Sequence, residues 1–268
     1  MRHLNLANQT QQRIQRKKLA LSILLLFVLG SLLNIPFSRA VKRLNLEAGR
    51  TDVTLNESIF QDIPPVLISS LIIGVVLIYL GLWVSARAQL GAPLLAGFFT
   101  KEATEKRLKV GDILQSIAIS SVAAIVLLGL FKLQRAYLPV DEIMARPAKS
   151  FYILVSFSAG ITEEIIFRLG LMSLIVAGVQ FLKRSEFRSG KTIWFSIIIS
   201  GLFFGLIHLP LSKNFVELTP FTVGVTMVGN LITGSIFGWI FWKRGLLVAI
   251  LCHIISDLVF HVLGNPYG

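Results

Sequence analysis

One cysteine, Cys252, stands in a chain of 268 residues. A single thiol closes no internal disulfide, so a secreted, cross-linked scaffold is excluded. Charge is scarce too. Asp, Glu, Lys and Arg make up 15% of the chain, against about 25% in an ordinary soluble domain. Hydrophobic residues reach 54% and the mean hydropathy is +0.74. So small a polar complement cannot cover the surface of a soluble core of this size. The same apolar fraction excludes intrinsic disorder. Also missing are a G-x-S-x-G elbow, an H-E-x-x-H zinc pair and a phosphate-binding loop, which removes the commonest serine-hydrolase, zincin and nucleotide chemistries. What the composition leaves is a polytopic membrane protein.

Acids are few, 14 against 26 Lys and Arg, and the formal net charge is +12. The bases fall in short clusters between apolar runs rather than along one aromatic-interleaved face. That pattern speaks against nucleic acid as a partner and for membrane topology and anionic headgroups.

A hydrocarbon core of ~30 Å needs about 20 apolar helical residues. Seven stretches satisfy that ruler: 19–37, 65–86, 110–131, 150–182, 192–209, 221–242 and 246–263. The expected fold class is therefore all-α, a polytopic transmembrane helix bundle of about seven spans. The fourth stretch exceeds one straight crossing, so it tilts, breaks near Gly170 or runs on along the interface. Arg168 lies inside it. Of the other 25 Lys and Arg residues, 16 fall on the side of the N-terminus and nine on the opposite side. The positive-inside rule then puts the N-terminus in the cytoplasm and the C-terminus outside. The basic start of the first stretch resembles a secretion signal, but its apolar run is longer than a signal's about 7–15 residues, so a retained anchor is expected. The loop from Gln89 to Lys109 reads equally as a helix lying on the membrane surface or as a solvated connection. Two glycine pairs at helical spacing, Gly201/Gly205 and Gly234/Gly238, predict close packing of spans five and six. Trp194, Trp239 and Trp242, near span ends, read as interfacial anchors. No internal repeat is present. By function the chain divides into 1–149, holding spans one to three, and 150–268, holding spans four to seven.

Ionisable groups at membrane depth cost about 2.5–3.5 kcal/mol each on insertion scales. Span four nevertheless holds Glu163, Glu164 and Arg168. Span five ends with His208, and span seven holds His253 and Asp257. Residues four apart share a helix face while neighbours point about 100° apart. Glu164 and Arg168 can therefore pair, which offsets the burial of both. Glu163 is turned away and left without a local partner, the setting that raises a carboxylate's basicity and suits a general base. Phe204 lies one turn before His208 and can fix its ring. Asp257 lies one turn after His253 and can hold or polarise it. Cys252 adjoins His253 but faces elsewhere, and reads as a small apolar filler. His261, near the end of the last span, reads as interfacial.

The series Glu163-Glu164-x-x-x-Arg168, Phe204-x-x-x-His208 and His253-x-x-x-Asp257 resembles the CAAX protease and bacteriocin-processing (CPBP) family, that of type II CAAX prenyl endopeptidases. The resemblance covers roughly 150–263, and spans one to three carry no recognised motif. It implies an all-helical intramembrane protease. By that resemblance Glu163 activates the attacking water, His208 helps to orient it, and His253 with residue 257 stabilises the oxyanion. Members that cleave prenylated proteins typically carry asparagine at the last position. Here stands Asp257, which must be protonated to donate, or else orients His253. Glu163, His208 and His253 would also compose a zinc set of one carboxylate and two imidazoles. Metal-independent glutamate catalysis is the preferred reading, because a zinc site would require Glu164 to leave Arg168 and act as base. The expected partners are a membrane protein or peptide substrate and the lipid bilayer.

Depth runs against convergence. At ~1.5 Å per residue His208 lies about 24 Å along span five, whereas Glu163 and Asp257 fall nearer the membrane centre. Two other classes remain open on sequence: a non-proteolytic membrane scaffold or binding protein with the family fold, and a transporter using the buried charges as a proton relay.

Overall fold

The structure, a computed structural model, describes residues 2–99, 109–138, 145–184 and 189–264. Among the described residues ten α-helices follow in order: α1 (Arg2–Leu33), α2 (Ile35–Glu47), α3 (Ile63–Arg87), α4 (Pro93–Gly97), α5 (Val110–Tyr137), α6 (Lys149–Glu164), α7 (Ser173–Leu182), α8 (Gly190–Ser212), α9 (Pro220–Arg244) and α10 (Leu246–Asp257). Two π-helical stretches, Ile165–Met172 and Leu258–Leu263, join α6 to α7 and extend α10. Merged where they run on, these helices form seven segments long and apolar enough to cross a membrane, and no strand occurs among the described residues. The all-α bundle of seven spans expected from hydropathy is what the chain forms. Within the loop that follows α3 a short helix, α4, does form, and 100–108 lie outside the described residues.

Local chemistry starts and stops these helices. Pro64 and Pro65 open α3, and Pro220 opens α9, positions where the missing N–H has no intrahelical role. Thr219 and Thr222 exchange side-chain and backbone hydrogen bonds as a capping box for α9, and the Ser189 hydroxyl accepts from the Thr192 N–H at the head of α8. A single residue, Gly245, joins α9 to α10 with φ of +86°, a left-handed conformation that glycine adopts without a Cβ clash. The long fourth span does not break at Gly170. Its backbone ladder widens to the i→i+5 pattern across Ile165–Met172, and the Ser173 hydroxyl donates to the Arg168 carbonyl at 3.0 Å.

The centre of the bundle is the fourth and seventh crossings, the two most enclosed segments. Ile165, Leu169, Met172, Val176, Ala249 and Cys252 are wholly buried there, in one cluster with Ile23 and Phe27 of α1. By contrast α3 and α5 present Ile72, Ile73, Val122 and Ile125 outward, the expectation for lipid-facing positions. Helices α8 and α9 pack through their glycines: a Cβ at Gly234 would stand 3.2 Å from the Gly201 Cα. Trp194 and Trp242 meet edge to face, 6.4 Å between centroids, where the start of α8 lies beside the end of α9.

Candidate active site

Glycine brings the acidic end of α6 against α10. A Cβ on Gly160 would lie 2.5 Å from Ile254 Cγ1 and 3.0 Å from the Ile254 backbone nitrogen, so only glycine fits unshifted. Three residues later Glu163 and Glu164 point to different sides, as helical spacing requires. Glu164 is fully buried. Its Oε2 stands 3.2 Å from Arg168 Nε, also fully buried, and its Oε1 accepts from His253 Nδ1 at 2.9 Å. The predicted Glu164–Arg168 pair is present, and the carboxylate has a second duty that single-helix geometry did not reveal: it fixes the ring of His253. A face of that ring stacks on Phe237 of α9, with 4.4 Å between centroids.

Arg168 itself donates to the Ser200 hydroxyl at 3.2 Å, and its guanidinium lies 5.4 Å from the centre of the Phe204 ring. Phe204 thereby joins both halves of the site. It packs edge to face on Phe167 and contacts the His208 ring at 4.6 Å. His208 Nδ1–H donates to the Phe204 carbonyl at 2.6 Å, which turns Nε2 toward Glu163. This is the rotamer-fixing role expected of Phe204.

Glu163 ends between the two imidazoles. Its Oε1 is 3.8 Å from His208 Nε2 and its Oε2 is 3.8 Å from His253 Nε2. The separation expected from a straight-helix ruler does not keep these groups apart. Asp257 is 3.8 Å from His253 Nε2, on the opposite side of the ring from Glu164. The sequence expectation that Asp257 holds His253 therefore shifts: the close hydrogen bond is to Glu164, and Asp257 faces Nε2. Glu163, His208 and Asp257 each retain about a fifth of their side-chain surface, while Glu164, Arg168 and His253 are enclosed.

These exposed faces line a cavity of about 170 Å³, together with Arg146, Tyr152, Asn230 and His261. That is ample room for several waters. From Glu163 a polar groove of about 540 Å³ leads out between α2, α6 and α8, past Ser38, Lys42, Asn45, Thr162 and Asn214. At its mouth Arg50 hydrogen-bonds Asp52 and holds that carboxyl below the usual carboxylate range. His261, expected at the interface, lies instead in the cavity wall, stacked on Tyr152 at 4.8 Å. The signal for it was present: His253, Asp257 and His261 are successive fourth residues, one continuous helix face. Cys252 is buried in the central cluster, as expected of a filler.

No group of three His, Cys, Asp or Glu residues placed to hold a metal ion occurs among the described residues. Tetrahedral zinc with bonds of about 2.0–2.1 Å would hold its ligand atoms ~3.4 Å apart. Glu163 stands 3.8 Å from each imidazole, and each imidazole Nδ1 is already engaged within the protein.

The fold and this geometry define a class: a multi-pass helical membrane protein with an enclosed carboxylate–imidazole site opening to a polar groove. Residues 146–259, which contain all six of the polar residues singled out in the spans, match the family model described as Type II CAAX prenyl endopeptidase Rce1-like. This is the family the motifs resemble. No curated protein and no solved structure matches the chain.

Proposed function

We propose that the chain is an intramembrane endopeptidase that hydrolyses a peptide bond of a membrane-associated protein or peptide, with Glu163 as general base. The observation that carries this reading is the Glu163 carboxylate, set between the Nε2 atoms of two oriented imidazoles at the edge of a cavity with room for several waters, among helices long and apolar enough to cross a membrane. A water between Glu163 and His208 loses a proton to Glu163, and the resulting hydroxide adds to the scissile carbonyl carbon. Charge develops on the carbonyl oxygen, and His253, as an imidazolium whose Nδ1–H is committed to Glu164, donates Nε2–H to it. Collapse of the tetrahedral intermediate breaks the C–N bond, and the proton held by Glu163 passes to the departing amine. Glu164 and Arg168 touch no substrate in this scheme and act by positioning His253. Asp257 adjoins His253 Nε2 and offsets the positive charge of that ring without exchanging a proton with it. The N-terminus is assigned to the cytoplasm, on the Lys and Arg count.

The test is cleavage of a membrane-anchored peptide library by the purified protein in liposomes. Glu163→Gln and His208→Ala should each abolish product while leaving helicity and thermal stability intact; His253→Ala should abolish it as well, but with a loss of stability, since it takes a partner from the buried Glu164. Cleavage at the ordinary rate by Glu163→Gln rejects the mechanism. No cleavage by the unaltered chain, across prenylated and unprenylated peptides, would favour a scaffold or binding protein.

A further inference from the structure

A second cavity, of about 690 Å³, shares no lining residue with the one around Glu163. It lies where the middle of α1 meets the end of α3, the start of α4 and the α9–α10 turn. Its walls are apolar, with Leu19, Leu82, Leu90 and Phe241 among them. Its rim carries Arg16, Lys17, Arg87, Lys243 and Arg244, and no acidic side chain lines it. Arg244 is bonded to Asp112 at 2.8 Å, and among the described residues the other four meet no carboxylate. Two of them lie over indoles instead: the Arg87 guanidinium is 4.3 Å from the Trp83 ring centre, and the Lys243 ammonium is 3.7 Å from that of Trp242.

This rim is built, not incidental. Gly91 and Gly245 both adopt positive φ, +143° and +86°. The Leu246 N–H donates to the Gly91 carbonyl at 3.0 Å, tying one turn to the other. A Cβ on Gly245 would collide with the Pro93 ring at 2.4 Å, so the α4 start sits directly on the turn. Uncompensated cations over indoles above an apolar hollow match one ligand chemistry, a phosphate attached to hydrocarbon. A free phosphate would leave the apolar walls unused.

We propose that this cavity binds an anionic phospholipid, its phosphate held by the Lys and Arg rim and its glycerol and upper acyl chains against the Trp83–Trp242 wall. Occupancy bridges α1 and α3 to the α9–α10 turn. The site stands apart from the proposed peptidase chemistry and does not depend on it.

The test uses the full chain in phosphatidylcholine nanodiscs, with tryptophan fluorescence quenched by brominated phosphatidylglycerol or by brominated phosphatidylcholine. The anionic lipid should quench at a mole fraction lower by about tenfold or more. Lys17→Gln/Arg87→Gln/Lys243→Gln should erase that preference, and inorganic phosphate at millimolar concentration should leave it unchanged. Trp83→Phe/Trp242→Phe keeps every cation and should lose most of the selective component, the remainder coming from Trp194, which touches position 242. That second variant decides the matter if the first does not fold. Equal quenching by the two lipids, or a preference left undiminished by the Trp83→Phe/Trp242→Phe change, overturns the proposal. Relief of quenching by inorganic phosphate also overturns it, by assigning a soluble ligand.

Discussion

Removing the charge of Arg168 isolates what the buried Glu164–Arg168 pair does. Both side chains are wholly enclosed and their charged atoms are 3.2 Å apart. At an effective dielectric of ~20 that separation is worth about 5 kcal/mol of attraction, set against several kcal/mol of desolvation for each ion. Arg168→Met keeps most of the volume and leaves Glu164 buried with only His253 as partner. The expected loss of stability is about 3–5 kcal/mol, the range for a buried ion pair stripped of one member. Glu164→Gln should cost a similar amount, because Arg168 then keeps only the Ser200 hydroxyl and the Phe204 ring. The double variant carries no stranded charge and should recover about 2–4 kcal/mol relative to the sum of the singles. Unfolding in detergent micelles, followed by circular dichroism across a denaturant series, measures all four corners of the cycle. The reasoning is refuted if either single change costs under about 1 kcal/mol, or if the two costs simply add. The cycle also separates position from chemistry. In Glu164→Gln the amide oxygen can still accept from His253 Nδ1, so peptide cleavage should fall much less than in Glu163→Gln.

Gly160→Ala must push α6 from α10 at Ile254, so it should destabilise by about 1–3 kcal/mol and slow cleavage by lengthening the Glu163–His253 approach. Adding Ile254→Ala to that variant opens the space and should restore part of the rate, which single-turnover assays would register; no recovery would sink the account. Asp257→Asn keeps size and hydrogen-bonding capacity beside His253 Nε2 and should retain cleavage within about tenfold, whereas Asp257→Leu should lose it. His208→Gln should fail even though it can hydrogen-bond, because its flexible chain is not held by the Phe204 carbonyl and ring; kcat, not KM, is the quantity expected to drop. Gly234→Leu should break the α8–α9 contact at Gly201 and lower the yield of folded protein, read by size-exclusion chromatography in detergent.

Span number and approximate position were legible because hydropathy depends on composition alone, over windows of about 20 residues. The glycine pairs of α8 and α9 were legible for a related reason: a residue with no side chain can serve a close approach wherever it recurs on one face. Within single helices the i,i+4 rule located Glu164 beside Arg168 and Phe204 beside His208. It failed where two helices supply the partners. The 2.9 Å bond from His253 to Glu164 joins residues 89 apart in the chain, and local spacing cannot choose it over Asp257 four residues away. His261 was missed because its nearness to a span end was weighed above the face it shares with His253. The π-helical stretches were missed because hydrophobic periodicity does not distinguish an i→i+5 ladder from an i→i+4 one over eight residues or fewer.

From its order of residues alone this chain is committed to lipid, to helices, and to a costly set of carboxylates and imidazoles on three of them. Those follow from local quantities: solvation, helix period and side-chain type. Folding in three dimensions decided which of those groups meet. The close contact at Gly160, the turn at Gly245 and the shared Phe204 ring carry Glu163 between His208 and His253, and commit Glu164 to two partners at once. Distances between helices depend on how their surfaces interlock, and that information is spread over the whole bundle rather than written in any one stretch of it.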